Sequence, residues 1–293
     1  MSGGESSGLD WDADLSQAAE AACRRACEQA GAALAAGRAR EAADLLASAA
    51  DLARSSLPES HRLRVAVAAN QAEALRRAGD GAAAEALLAE ALERARRTLG
   101  AGDLDALRVT FNLAALLLDA GAFVRAEPLL REHAALCERA LGAAHPERAR
   151  SQRALAQALA GLGRTGEAEA LLVEALDALG RALGERHPDV AACLHDLGVL
   201  AGREGRGDEA EPLLRRALDL RREGLGSAHP QVADTFVALG SLALARGDAA
   251  QAQALYLEAR AVRERALGPG DPAVRACDAN LAAVARLGGA RPG

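Results

Sequence analysis

The stretch from Leu183 to Gly224 reads LGERHPDVAACLHDLGVLAGREGRGDEAEPLLRRALDLRREG, and the next residues, Leu225-Gly226, begin the same text again. The opening Leu-Gly pair recurs at Leu99-Gly100, Leu141-Gly142, Leu183-Gly184, Leu225-Gly226 and Leu267-Gly268, a spacing of 42 residues, with Leu57 in phase. A fixed period of this size marks a repeat array, whose units bury their apolar faces only against neighbours. A glycine column keeps the same period at Gly37, Gly79, Gly121, Gly163, Gly205, Gly247 and Gly289. Glycine enters the left-handed backbone region without steric cost, so each repeat is predicted to be two helices around a glycine turn.

The start of the first helix is marked by His145-Pro146, His187-Pro188, His229-Pro230 and Asp271-Pro272, with His61 and Asp103 in phase. Proline suits the first helical position, where its missing N–H would be unpaired in any case. Asp at this position caps free N–H groups. Thr110, Leu113, Ala114 and Leu117 then follow the i, i+3, i+4, i+7 spacing of one helix face. The second helix carries Ala-x-x-Leu-Leu-x-x-Ala, as in Ala210, Leu213, Leu214 and Ala217. Small residues at fixed positions let two helix backbones approach, and the leucine pair fills the adjoining groove. His133 replaces the closing alanine once and reads as a packing histidine.

Composition agrees. Half of the 293 residues are hydrophobic but only 2% are aromatic, and no Lys or Ile occurs, so every basic side chain is Arg. Ala, Leu, Arg and Glu are strong helix formers. The predicted fold is all-α, a right-handed α-solenoid of about six helix pairs plus a C-terminal capping helix. The period divides the chain into a disordered segment 1–14, repeats 15–56, 57–98, 99–140, 141–182, 183–224 and 225–266, a capping helix 272–287 and a tail 288–293. The first unit lacks the Leu-Gly and His-Pro signals, as a terminal repeat does, and Trp11 is placed to cover its end.

Several function classes are disfavoured. A net charge of −6 gives no electrostatic footprint for nucleic acid. The N-terminus has no basic and apolar leader pattern, and no run of about 18 apolar residues spans a membrane, so the expected compartment is the cytoplasm. Five cysteines without a Cys-x-x-Cys pair indicate neither a disulfide framework nor zinc. Gly161, Gly163 and Gly166 satisfy G-x-G-x-x-G but follow a helix pattern rather than a strand. Without Lys there is no P-loop lysine and no Schiff base. The His-Pro histidines lie one per repeat, too far apart to share a metal ion, and read as caps. Cys193 and His195 are two residues apart, about 200° around a helix, so they form no dyad. No catalytic residue, cofactor or metal is expected.

The small residue at Ala72, Ala114, Ala156, Gly198, Gly240 and Ala282, followed by the turn glycine and two alanines, resembles the tetratricopeptide repeat. The usual unit has 34 residues. The longer unit, with LGERHPDVA at Leu183–Ala191 and AEPLL at Ala210–Leu214, is similar to the kinesin light chain family. This resemblance implies that first helices line a concave groove receiving a peptide, contacted by a recurrent Asn. Its column holds Asn70, Asn112 and Asn280 but Ala154, Asp196 and Ala238 elsewhere. An Asn amide offers a peptide backbone both a donor and an acceptor. Helical geometry adds Glu73, Arg108, Arg150, Arg153, Gln157, His195 and Asp196 to the same open face, where the Arg side chains have the fork geometry to grip carboxylates or phosphates. A solvated face of an Arg-rich protein is the plainer reading of that cluster.

The function expected is a non-enzymatic scaffold for a peptide or protein partner. The alternative is a regulatory sensor whose superhelix responds to a peptide or small ligand. Self-association through an end face stays open.

Overall fold

The computed structural model describes the backbone of residues 11–289 and the side chains of residues 15–286. The described residues form helices and turns, with no strand. The fold class is all-α, of the repeat-solenoid type. The chain divides into two compact units, one ending at Ala140 and one starting at Leu141.

The first unit contains α1 (Trp11–Ala35), α2 (Ala39–Ser56), α3 (Arg62–Arg77), α4 (Gly81–Thr98), α5 (Leu104–Asp119) and α6 (Phe123–Leu141, whose last residue crosses the boundary). The second contains α7 (Pro146–Gly161), α8 (Thr165–Leu183), α9 (Pro188–Arg203), α10 (Gly207–Leu225), α11 (Pro230–Ala245), α12 (Ala249–Leu267) and α13 (Pro272–Gly289). Residues 1–10 and 290–293, and the Trp11 side chain expected to cover one end, lie outside the described residues. Helix α1 already includes residues 11–14.

Two different glycine connections alternate. At the first, the Arg164 N–H donates to Leu159 O at 2.9 Å and the Gly163 N–H to Ala160 O at 3.1 Å, with Gly163 at φ +78°. This paired closure, with a left-handed glycine, satisfies carbonyls that the helix end leaves free. Gly289, in phase with these turn glycines, ends α13 and is not among the positive-φ residues. At the second connection Gly184 has φ +90° and ψ +151°, and Gly226 has φ +86° and ψ +153°. That extended positive-φ region is open to essentially nothing but glycine, which explains why the Leu-Gly column is strict.

The histidines after the Leu-Gly pair are caps. The Nδ1 atoms of His61, His145, His187 and His229 accept from the backbone N–H groups of Leu63, Glu147, Asp189 and Gln231 at 3.1–3.2 Å. Asp103 does the same through its carboxylate for Asp105. An acceptor at Nδ1 places the neutral ring's proton on Nε2. His61 Nε2 stands 2.9 Å from Glu20, in the matching donor arrangement.

Packing follows the stripes. Ala84, Ala126, Ala168 and Ala210 are completely buried, and the second leucine of each pair, Leu88, Leu130, Leu172 and Leu214, is at most 3% exposed. Burying a leucine stabilises by about 1.5–3 kcal/mol relative to leaving it in water. His133 is buried, its ring centroid 5.4 Å from that of Phe111, as a packing residue. Among the described residues no helix is long and apolar enough to cross a membrane.

Candidate functional site

Within the first unit the open face is built by α3 and α5. Asn70 accepts a long hydrogen bond of 3.4 Å from Arg108 Nη1, so part of its amide is already engaged. Asn112 lines a cavity of about 350 Å³ with Ala72, Glu73, Arg76, Ala115 and Asp119. Glu73 is gripped from its own helix by Arg76 Nε at 2.9 Å and Arg77 Nε at 2.6 Å. Burial pushes the Glu73 carboxyl upward, but these hydrogen bonds outweigh it and hold the pKa below the usual carboxylate range. Arg76 also reaches Asp119 on α5 at 3.1 Å. The wall of this cavity is therefore charged but internally neutralised, and Asn112 is its uncharged hydrogen-bonding group.

Within the second unit the expected residues meet in a different way. Arg153 Nη1 on α7 donates to Asp196 Oδ2 on α9 at 2.9 Å, and Gln157 Nε2 donates to the same oxygen at 3.0 Å. Arg150 donates to Asp189 Oδ2 at 2.8 Å. Burial would lower the pKa of Arg153, but the adjacent Asp196 charge raises it overall. The guanidinium groups of Arg150 and Arg153 thus hold carboxylates of the next repeat. Asn280 is half-buried on α13.

The same step of about one repeat recurs elsewhere in each unit. Arg62 pairs with Asp103, Arg125 with Glu85 at 2.6 Å, Arg186 with Glu223 at 2.9 Å, and Arg206 with Glu169 at 2.8 Å. These pairs staple neighbouring repeats. Exposed pairs of this kind are worth about 0–1 kcal/mol each, so their effect is register rather than bulk stability.

His195 projects into another part of α9's surface. Burial, assisted by the positive charge of Arg221, pushes its pKa down to about 4, so the imidazole is neutral. Its Nδ1 is buried without a hydrogen-bond partner. Burial pushes the Cys193 thiol up to about 12, so it is neither a nucleophile nor a partner for His195. The 42-residue period does not mark Asp189, Arg221 or Gly202. Asp189 was legible as an acid one repeat beyond Arg150. Arg221 was not, because its Nη1 bonds to Gln231 O at 2.8 Å and Thr235 Oγ1 at 2.7 Å depend on how α10 meets α11.

The tetratricopeptide repeat family model matches residues 63–139, 112–181, 166–223 and 190–265. No curated protein matches the chain. Among solved structures, the nearly identical TPR-like repeats of a Podosopora anserina kinesin light chain are 26% identical, with a TM-score of 0.61 over 68% of this chain and 94% of that one. BtubC from P. vanneervenii is 25% identical, with a TM-score of 0.58 over 83% of this chain and 91% of its own. The apo form of RapI shares the fold, at 11% identity and a TM-score of 0.63, over 90% of this chain and 98% of that one. With the 42-residue unit, the two glycine connections and the His-Pro caps, this chain belongs to the tetratricopeptide repeat family and is of the kinesin light chain-like type.

Proposed function

We propose that the protein is a non-enzymatic interaction scaffold that binds a peptide or protein partner along the faces of its first helices. The observation that carries this reading is Asn112, an uncharged amide lining a cavity of about 350 Å³ beside carboxylates that Arg76 and Arg77 already neutralise. A peptide main chain supplies the alternating donors and acceptors that an amide matches. In the first unit Asn70 extends the same column, with Glu73 and Arg108 as candidate wall residues; in the second unit the candidates are Arg150, Arg153, Gln157, His195, Asp196 and Asn280. In this reading the ion pairs hold the walls in place, and the amides make the contacts.

The test is cross-linked capture followed by mass spectrometry, run in parallel on the wild type and the Asn70→Ala/Asn112→Ala variant. The scaffold reading expects partners retained by the wild type and lost, at least about tenfold, from a variant whose circular dichroism is unchanged. Identical capture by both proteins overturns the groove assignment.

A further inference from the structure

The cavities of the two units occupy the same register of the repeat, but the second has the more apolar wall. In the second unit a cavity of about 370 Å³ lies among α9, α10 and α11. Three periods separate its residues from their counterparts in the first unit. Val199 stands where the first cavity has Glu73, Gly202 where it has Arg76, Ala238 where it has Asn112, and Ala245 where it has Asp119. Each of these four replacements removes polarity or volume, while Ser241 stands where the first cavity has Ala115. Leu214 and Leu242 complete an apolar wall.

Four polar residues line this space, His195, Arg203, Asp234 and Ser241, and Ser241 is already engaged, donating to Val237 O at 3.0 Å and standing 3.1 Å from Tyr256 Oη. Asp234 is occupied, accepting from Arg263 Nη2 at 2.8 Å. His195 is not: its Nδ1 is buried and unpartnered. The ring as a whole is half-buried and lines the cavity, so its accessible edge is left to a guest. Arg203, also on the wall, is exposed and keeps its charge in water.

We infer that the α9–α11 cavity is a site for a small uncharged molecule with an apolar body and a single hydroxyl, which pairs with the His195 imidazole. The volume falls at the lower end of the range for small-molecule sites, about 300–1,000 Å³. A charged guest would lose hydration against Val199, Leu214, Val237 and Leu242, and an anion would gain in return only the exposed, solvated Arg203. A hydroxyl both donates and accepts, so it satisfies a neutral imidazole in either tautomer. Neutrality of the ring agrees with its low pKa. The space exists because residue 202 is glycine: an added Cβ there meets nothing closer than 3.8 Å, so a larger side chain would grow into the cavity without backbone conflict. His195 also belongs to the face proposed for a peptide, but that reading is tested at Asn70 and Asn112 in the other unit, so the two can fail separately.

The experiment is titration of the full chain with para-cresol, following the His195 ring signals by NMR. Toluene, the tripeptide N-acetyl-Gly-Tyr-Gly-amide and the Gly202→Leu and His195→Phe variants serve as comparisons. Saturable shifts are expected with para-cresol. Toluene should bind about tenfold more weakly, the ratio that one hydrogen bond of about 1.4 kcal/mol provides. Gly202→Leu should abolish binding while keeping or raising the melting temperature, and His195→Phe, followed by ligand-observed NMR, should erase the preference for para-cresol over toluene. Absent shifts, undiminished binding by Gly202→Leu, or equal affinity for toluene would overturn the assignment. So would saturation by the tripeptide without binding of para-cresol, which would give the cavity to a tyrosine side chain of a peptide.

Discussion

Arg153 on α7 and Asp196 on α9 are 43 residues apart and 2.9 Å from each other, so a salt bridge fastens one repeat to the next among the residues proposed to receive a partner. The Asp196 side chain is only 15% exposed and also accepts from Gln157. It sits between the exposed pairs, which matter little, and a fully buried ion, which would need complete compensation.

Replacing Asp196 with Asn keeps the shape but removes the charge that Arg153 and Gln157 share. The expected loss is about 1.5–3 kcal/mol, the range for hydrogen bonds to charged groups. Chemical denaturation should show it as a lower midpoint with an unchanged slope. A variant as stable as the wild type would mean that the pair contributes nothing measurable.

Tyr256 takes the place that leucine holds in the other repeats, and Gly240 makes room for it. A Cβ at residue 240 would lie 2.8 Å from Tyr256 Cε1. Gly240→Ala should therefore destabilise by about 1–3 kcal/mol through overpacking. Adding Tyr256→Leu should recover part of that loss, because Ala114 and Leu130 occupy the equivalent pair. Additive losses in the double variant would show that the two positions do not compete for space.

The two glycine columns should respond differently to asparagine. Gly163, at φ +78° in a helix-closing turn, lies in the region that Asn tolerates. Gly184, at φ +90° and ψ +151°, does not. Thermal melts should place Gly184→Asn below Gly163→Asn by about 1–3 kcal/mol, the cost of a backbone in a sparsely populated region.

The buried His195 makes stability depend on pH in a definite direction. Its folded pKa of about 4 lies below the ordinary 6.5, so the unfolded chain binds the proton more readily. Its stabilising contribution is complete above about pH 6.5 and is lost as the pH falls toward about 4. Glu73 and Glu211, whose carboxyls are held low, weaken the fold in the same direction. The informative quantity is therefore the difference between wild type and His195→Leu: on acidification the melting temperature of the wild type should fall further than that of the variant.

Cys193 should resist alkylation. With its thiol pushed up to about 12 by burial, it should react with iodoacetamide near pH 8 only after denaturant is added. Rapid labelling of the native protein at this position would show that the helix opens locally.

Much of this was readable from local signals. Helix starts at Pro146, Pro188, Pro230 and Pro272, and the turn at Gly163, depend on a few consecutive residues, and the structure has them where the spacing puts them. The strictness of the Leu-Gly column was visible, but its cause was not, because ψ near +150° is a property of the connection and not of the glycine itself. The candidate site was legible as a face. Asn112 lies at a cavity as its column suggests, whereas Arg150 and Arg153 are taken up by Asp189 and Asp196.

Periodicity alone dictates the all-α repeat, the pairing of helices and the face each helix buries, since these follow from 3.6-residue geometry and backbone preferences that act within one unit. Tertiary packing decides which charges on the open face are spent between repeats, and where the wall is apolar enough to leave a cavity. Those outcomes turn on side chains about 40 residues apart meeting within 3 Å, as Arg153 and Asp196 do. They turn equally on whether Arg76 or Gly202 fills the same register. Pairing and desolvation are properties of the assembled face, and no single repeat contains them.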